Sequence, residues 1–224
     1  MTNYSEIREK LFTRIPLSYF GFLGSGSILV SMITTAIMYR SPTGQYYNPL
    51  NHFISELGYI GVSDFAWLFN SGIFVGGLVL ACFMWGLGAN LKTRLLEISS
   101  FIGMLTCILG SLIGIFPMNT VNTHIVIVLS FFISSTIAII LFSIGIYVDP
   151  EPKLPKALVW YGCIVVVAFI LFLFNPFDTS AVNFTGSFTQ QNIANLDNIR
   201  PAIWNIAILE WLSVLSILIW IIIV

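Results

Sequence analysis

Long apolar runs alternate with short polar stretches along the whole chain, and these runs predict six membrane spans. Each run holds about 18–25 residues, enough for a helix to cross a hydrocarbon core of about 30 Å. The prolines fall at the ends of the runs or between them, which supports the same boundaries. The predicted spans are residues 17–39, 65–89, 95–116, 124–148, 157–174 and 202–224. The pattern predicts an all-α integral membrane protein with a single six-helix domain over residues 1–224.

Residues 48–70, NPLNHFISELGYIGVSDFAWLFN, form the one stretch in which polar residues follow a pattern. Asn48 followed by Pro49 is typical of a helix start, and Gly58 is typical of a left-handed residue that ends a helix. Helical spacing places the apolar and polar residues between them on opposite faces. The apolar face comprises Leu50, Phe53, Ile54 and Leu57, and the polar face Asn51, His52, Ser55 and Glu56. We therefore predict a short amphipathic helix over residues 49–57, before the second span.

The composition excludes a soluble protein. Apolar residues make up 57% of the chain and charged residues 8%, against roughly 25% charged in soluble domains. The mean hydropathy of +0.93 agrees. The net charge of −1 argues against a nucleic-acid partner, which leaves membrane lipids as the expected partners. The sequence carries no signal for an oligomeric state.

Basic residues are distributed unevenly between the two sides of the predicted bundle. One side has seven of them: Arg8, Lys10, Arg14, Lys92, Arg94, Lys153 and Lys156. The other side has only Arg40 and Arg200. Because basic loops stay in the cytoplasm, this asymmetry predicts a plasma-membrane protein with both termini cytoplasmic. The longer loops then lie outside, including the short helix before the second span.

Three motifs resemble the prokaryotic membrane family called domain of unknown function 998. They are the stretch from Ile54 to Gly58 (ISELG), then Phe69-Asn70-x-Gly72, and then Phe116-Pro117 with His124 seven residues after the proline. The motif order and the number of spans extend the resemblance over most of the chain. The resemblance implies a six-span fold with a polar motif on the outer side. It implies no activity, so the function has to be argued from the residues.

The polar residues outside the ordinary loops converge on one depth near the outer side. Glu210 lies about 12 Å below the outer end of the sixth span, where an ionisable group marks a functional site and needs a polar partner. Asn70, at the same depth in the second span, is placed to donate to it. The expected ligand-binding residues are Asn70, Asp64, Asp178 and Glu210, and the expected catalytic residues are His52, Ser55, Glu56 and His124.

Two classes of function remain open at this point. In the first, the protein binds or moves a lipid or a small solute in an outward-facing polar pocket. In the second, it is a membrane-embedded hydrolase or transferase acting on lipid head groups. A divalent metal such as zinc would be held there by His52, His124 and a carboxylate, which is Glu56 or alternatively Asp64 or Asp178. The handicap of the enzyme hypothesis is that only two histidines exist in the chain. Ser55 and Glu56 have a structural alternative, in which they bond the loop backbone and hold the short helix in place.

Overall fold

The structure, a computed structural model, describes residues 16–91, 93–174 and 200–224, and these residues form six long α-helices. All six are long and apolar enough to cross a membrane, so the predicted six-span, all-helical fold is confirmed. Their bounds are α1 (Leu17–Met38), α2 (Ala66–Asn90), α3 (Arg94–Ile115), α4 (Val121–Val148), α5 (Ala157–Phe174) and α6 (Asn205–Ile223).

Two helices begin at positions that differ from the prediction. Helix α4 begins at Val121 because the 3₁₀ turn Met118–Thr120 leads directly into it after Pro117. Helix α6 begins only at Asn205, because Trp204 donates its backbone N–H to the carbonyl of Leu50 at 2.8 Å. The residues just before α6 therefore bind the loop between α1 and α2.

The helices pack in chain order around a ring. Each helix contacts the next one along the chain, and α6 also touches α1 through the smallest helix contact of the ring. The α1–α2 contact depends on glycines, since a Cβ atom on Gly76 would lie 2.8 Å from the carbonyl oxygen of Gly24. Gly72-x-x-x-Gly76 in α2 has the spacing of small residues that lets helix backbones approach closely, and the approach is seen at Gly76.

Large apolar side chains remain exposed on the outside of every helix. Such a surface is unfavourable in water but matches the hydrocarbon of a bilayer, where only satisfied backbone and apolar side chains face lipid. Examples, one from each helix in order, are Leu23, Val75, Phe101, Val126, Ile164 and Leu212, all at least 46% exposed.

One end of the bundle is covered by a folded loop, residues 47–62, which we call the cap. Its 3₁₀ helix, Ile54–Gly58, lies over the ring and contacts α1, α2 and α6. The apolar side chains of the cap form a buried cluster of their own with residues from the helix ends. This cluster contains Ile54, Leu57, Tyr59 and Val62 of the cap together with Met32, Tyr39, Phe69 and Met118. The cap is thus an integral part of the fold.

Candidate functional site

The cap consists of a turn followed by a 3₁₀ helix. The N–H groups of Asn51 and His52 both donate to the carbonyl of Asn48, at 3.0 and 2.9 Å. Phe53 is then extended, with φ −70° and ψ 147°, and its N–H donates to Oε1 of Glu56 at 2.9 Å. A short helix does precede the second span, as predicted, but it starts at Ile54 because Glu56 caps Phe53 at this point.

This geometry changes the faces that helical spacing predicts. His52 and Glu56, expected on the polar face, are each 1% exposed, whereas Leu50, expected on the apolar face, is 49% exposed. The reason is that the extended Phe53 rotates the residues before it relative to those after it. The imidazole of His52 and the carboxyl group of Glu56 therefore point into the protein.

Glu56 forms a buried ion pair with Arg200, the residue before Pro201. The two carboxylate oxygens accept from Nη1 and Nη2 of Arg200 at 3.0 and 2.9 Å. Both side chains are almost fully buried, at 1% and 2% exposed. Nη1 also donates to the carbonyl of Asn51 at 2.6 Å. Because the fork geometry uses both oxygens of the carboxylate, the pair attaches the cap firmly to the start of α6.

Glu210, from the second turn of α6, forms a second link to the cap. Its Oε2 accepts from the N–H of Ile54 at 2.7 Å, and the N–H of Ser55 also bonds the carboxylate. The side chain is 8% exposed, so it faces the bundle interior and has the polar partner that its depth predicts. That partner is the cap backbone instead of the side chain of Asn70.

Asn70 instead supports the cap from below. Its Nδ2 donates to the carbonyl of Gly58 at 2.9 Å. The prediction that Gly58 is left-handed is wrong, because only Gly44 and Gly61 have positive φ angles among the described residues. A glycine is needed at position 58 for space, since a Cβ atom there would clash with Oδ1 of Asn70.

His52 belongs to an aromatic cluster on the other side of the cap. Its ring lies 5.1 Å from that of Tyr47 and 5.8 Å from that of Tyr39, centroid to centroid, and its Nδ1 bonds Oδ1 of Asn51 at 2.8 Å. The Tyr47 hydroxyl donates to the carbonyls of Phe53 and His52 at 2.9 and 3.2 Å. Indole Nε1 of a tryptophan in α6, Trp211, donates to the same hydroxyl at 3.1 Å.

Burial raises the pKa of the Tyr47 hydroxyl well above its ordinary value of 10.0, and the nearby carboxylates of Glu210 and Glu56 act in the same direction. The hydroxyl is therefore protonated at any physiological pH. It keeps donating to carbonyls within the cap, while Trp211 of α6 donates to it and so forms a third link between the cap and α6.

His124, in the first turn of α4, is fixed by the backbone that precedes its helix. Its Nδ1 lies 2.8 Å from the carbonyl oxygen of Phe116. A carbonyl can only accept, so Nδ1 carries the proton and Nε2 of the neutral ring is an acceptor. The chain reverses at Pro117 between the two residues, which is why the imidazole and this carbonyl meet.

Two neighbouring cavities lie under the cap. The first, of about 130 Å³, is bounded by α2, α3, α4 and α6 and extends from Ser55 to Trp220. The second, of about 440 Å³, lies between α4, α5, α6 and the cap. Four residues line both cavities: Ser55, His124, Val128 and Glu210. Three polar side chains, from Ser55 of the cap, His124 of α4 and Glu210 of α6, thus line both cavities. The other lining residues of the two cavities are mainly apolar.

The deep part of the first cavity contains two isolated hydroxyl groups. Thr106 of α3 and Ser135 of α4 line it, and both are buried. Neither hydroxyl has a hydrogen-bond partner in the part of the chain that the structure describes. Residues nearer the opposite end, such as Phe142, Trp220 and Ile221, close the cavity with apolar side chains.

The remaining predicted site residues are distributed as follows. Asp64 is exposed at the end of the cap, away from both cavities, and Asp178 lies outside the described residues. In the described ranges, no three His, Cys, Asp or Glu side chains are grouped as ligands for a metal ion. Glu56 is bound to Arg200, His52 is in the aromatic cluster, and His124 lines the cavities.

Sequence reasoning missed three residues that determine how the site is built. Arg200 was counted only as an outer basic residue, although a lone arginine beside a span with buried carboxylates is a signal for an ion pair. Tyr47 and Trp211 carried no such signal, since aromatic residues are common near the ends of membrane helices.

Comparison with known proteins identifies one family. The family model described as "Protein of unknown function (DUF998)" matches residues 23–224, which include all six helices except the first turns of α1. No curated protein and no solved structure matches the chain.

Proposed function

Because the chain belongs to the DUF998 family of proteins of unknown function, we propose its function from its own geometry: it binds a single-chain amphiphile in the cavities under its cap. The observation that carries this proposal is the composition of the cavity walls. Polar side chains lie together at the capped end, at Ser55, His124 and Glu210, and the walls below them are mainly apolar.

The first cavity has the length of one hydrocarbon chain, and its volume accommodates part of one. Its lining residues on α6 run from Glu210 to Ile221, which corresponds to about 16 Å along the helix. An acyl chain covers one leaflet, or about half of a hydrocarbon core of ~30 Å. An apolar cavity of about 150 Å³ in another protein binds benzene, so a volume of about 130 Å³ suits part of such a chain.

An ion pathway suits this geometry less well. Ion channels line their path with carbonyls, charged rings or water. Here the end of the cavity opposite the cap is lined by Phe142, Trp220 and Ile221. An amphiphile needs polar partners only at its head, which is the arrangement that these cavities offer.

The proposal is tested by filling the space where the two cavities meet. Val128 lines both of them, so Val128→Trp should remove most of the bound amphiphile that native mass spectrometry detects on protein purified without detergent. Val126 lies two residues away on the same helix and is 63% exposed, which makes Val126→Trp the matched control. Equal retention of lipid by both folded variants, or no bound amphiphile on the wild type, would contradict the proposal.

One observation favours hydrolysis of the bound amphiphile as a second function. Ser55 and His124 line the same cavities, and the bond from Nδ1 to the Phe116 carbonyl leaves Nε2 of His124 as a base. A serine activated by such a base is a nucleophile. A fluorophosphonate probe should then label the protein in membranes, and Ser55→Ala should abolish the label; unlabelled wild-type protein would exclude this second function.

A further inference from the structure

We infer that the amphiphile has a head group that donates hydrogen bonds and carries no negative charge, such as an amine or a hydroxyl. This inference rests on the proposed function and concerns the selectivity of the same cavities. The hydrocarbon tail of the amphiphile contributes little to selectivity. A hydrocarbon chain that moves from the bilayer into an apolar cavity exchanges one apolar environment for another. The choice of ligand therefore depends on the head group and on the side chains that face it.

The polar side chains at the capped end of the cavities are mainly acceptors. Nδ1 of His124 already donates to the Phe116 carbonyl, so Nε2 of the neutral ring accepts. Oε2 of Glu210 accepts from the Ile54 N–H, and the oxygens of its carboxyl group have further lone pairs for a ligand. The hydroxyl of Ser55 both donates and accepts. A head group that brings donors fits this set, whereas one that brings only acceptors does not.

The charges around this position also disfavour an anion. Glu210 lines both cavities and carries no positive charge in either protonation state. Lys and Arg are absent from the linings of both cavities among the described residues. Arg200, which binds Glu56 of the cap, has its charge compensated by both oxygens of that carboxylate and is buried with it.

Among the residues that the structure describes, no other cation is placed to compensate a phosphate. Arg40 donates to the carbonyl of Tyr39 and stacks over the Tyr46 ring at 3.5 Å, in the loop after α1. Arg94, Lys153 and Lys156 lie at the end of the bundle opposite the cap. Among the described residues, a bound phosphate or carboxylate would thus meet the acidic side chain of Glu210 without a cation to compensate it.

The inference is tested with three amphiphiles that share an octadecyl chain and differ only in the head group. Octadecylamine, octadecanol and octadecyl phosphate are added together at equal amounts to the full chain in zwitterionic nanodiscs at neutral pH. Native mass spectrometry then reads which of them is bound, with empty nanodiscs as the reference for partitioning. We expect the amine and the alcohol to be bound at least about tenfold more than the phosphate.

A variant without the acidic group assigns this preference to the site. Glu210→Gln keeps an oxygen that accepts from the Ile54 N–H but cannot become a carboxylate that pairs with an ammonium group, so it should lower the preference for amine over alcohol. Asp64→Asn, which removes an exposed charge away from the cavities, should leave the preference unchanged. If the Glu210 variant does not fold, the competition between the three amphiphiles on the wild-type protein still tests the inference.

The outcomes separate the two proposals. If none of the three amphiphiles binds, the proposed function fails. If they bind equally well, or if the phosphate binds best, amphiphile binding stands and the inference about the head group is overturned.

Discussion

At the residue scale, the cap is attached to α6 by buried and partly buried polar groups. The bidentate pair of Glu56 and Arg200, the carboxylate of Glu210 on the Ile54 N–H, and the Tyr47 hydroxyl all link these two elements. A buried ion pair is a weak source of net stability, yet removing one partner leaves the other charge buried and unpaired. The stability of the cap thus depends on the pair remaining complete.

Glu56→Ala should destabilise the protein by about 3–5 kcal/mol, because Arg200 is then a buried cation without its carboxylate. The melting temperature in detergent measures this loss. Because a buried pair is screened little by salt, the loss should be similar at low and high ionic strength. Asp64→Ala, at an exposed acid of the same loop, is the control and should change stability by less than about 0.5 kcal/mol. A Glu56→Ala variant as stable as this control would contradict the role of the pair.

The raised pKa of Tyr47 predicts that the protein loses stability at alkaline pH. Its pKa is raised in the folded protein, so the folded state holds this proton more tightly than the unfolded state does. The resulting stabilisation is fully present below the ordinary value of about 10 and is lost as the pH rises through the folded pKa. The melting temperature of the wild type should therefore fall above pH ~10, and Tyr47→Phe should weaken this fall.

At neutral pH the same variant should cost about 1–3 kcal/mol, because Trp211 Nε1 loses its acceptor and two cap carbonyls lose a donor. Tyr147→Phe, at a tyrosine that is 72% exposed, is the control for both measurements. An alkaline transition that is identical in wild type and Tyr47→Phe would show that another group is responsible for it.

At the scale of the element, the cap is a packed part of the fold, and one of its apolar residues, Phe53, lies against the start of α6. Phe53 is 7% exposed, and its ring lies 4.9 Å from that of Trp204, centroid to centroid, with Ala207 in the same cluster. The extended backbone at Phe53 turns this side chain towards α6 and leaves Leu50 towards solvent. Two apolar residues three positions apart in one loop therefore have different roles.

Phe53→Asp should destabilise the protein by several kcal/mol, because it introduces an unpaired charge into an apolar contact. Leu50→Asp provides the matched control, since the same substitution at a residue that is 49% exposed should have little effect. Thermal unfolding of the two variants gives the comparison. If both variants melt like the wild type, the segment is a free loop and the cap does not close the cavities.

At the scale of the whole molecule, three of the five basic residues that the structure describes lie at the end of the bundle opposite the cap. Arg94, Lys153 and Lys156 are at the end away from the cap, and Arg40 and Arg200 are at the capped end. This is the asymmetry that predicts the orientation, with the cap outside and both termini in the cytoplasm. An amphiphile would then enter the cavities from the outer leaflet.

Thiol labelling of intact cells tests this orientation in a variant without Cys82, Cys107 and Cys163. A cysteine introduced at Gln45, an exposed loop residue at the capped end, should react with an impermeant reagent. A cysteine at Glu151, exposed in the loop between α4 and α5, should react only after the cells are opened. The reverse pattern would place the cap inside and the cavities towards the inner leaflet.

The sequence by itself determined the six spans. Each span follows from the hydropathy and the proline positions of its own segment, whatever the other segments contain. It also determined that Glu210 needs a partner, since an ionisable group at that depth is costly whatever surrounds it. The short helix before the second span was predicted as an element, while its start at Ile54 was not. That start depends on the bond from the Phe53 N–H to the side chain of Glu56.

Only the tertiary structure decided which groups meet. Glu56 and Arg200 are 144 residues apart, and Glu210 and Ile54 are 156 residues apart. A helix that is apolar on all sides carries no amphipathic signal for its rotation in the bundle, so the sequence does not reveal which side chains face inward. Rotation and helix order bring Ser55, His124 and Glu210 to shared cavities and leave His52 among aromatic rings. The site is a product of packing between segments, and that information is absent from each segment alone.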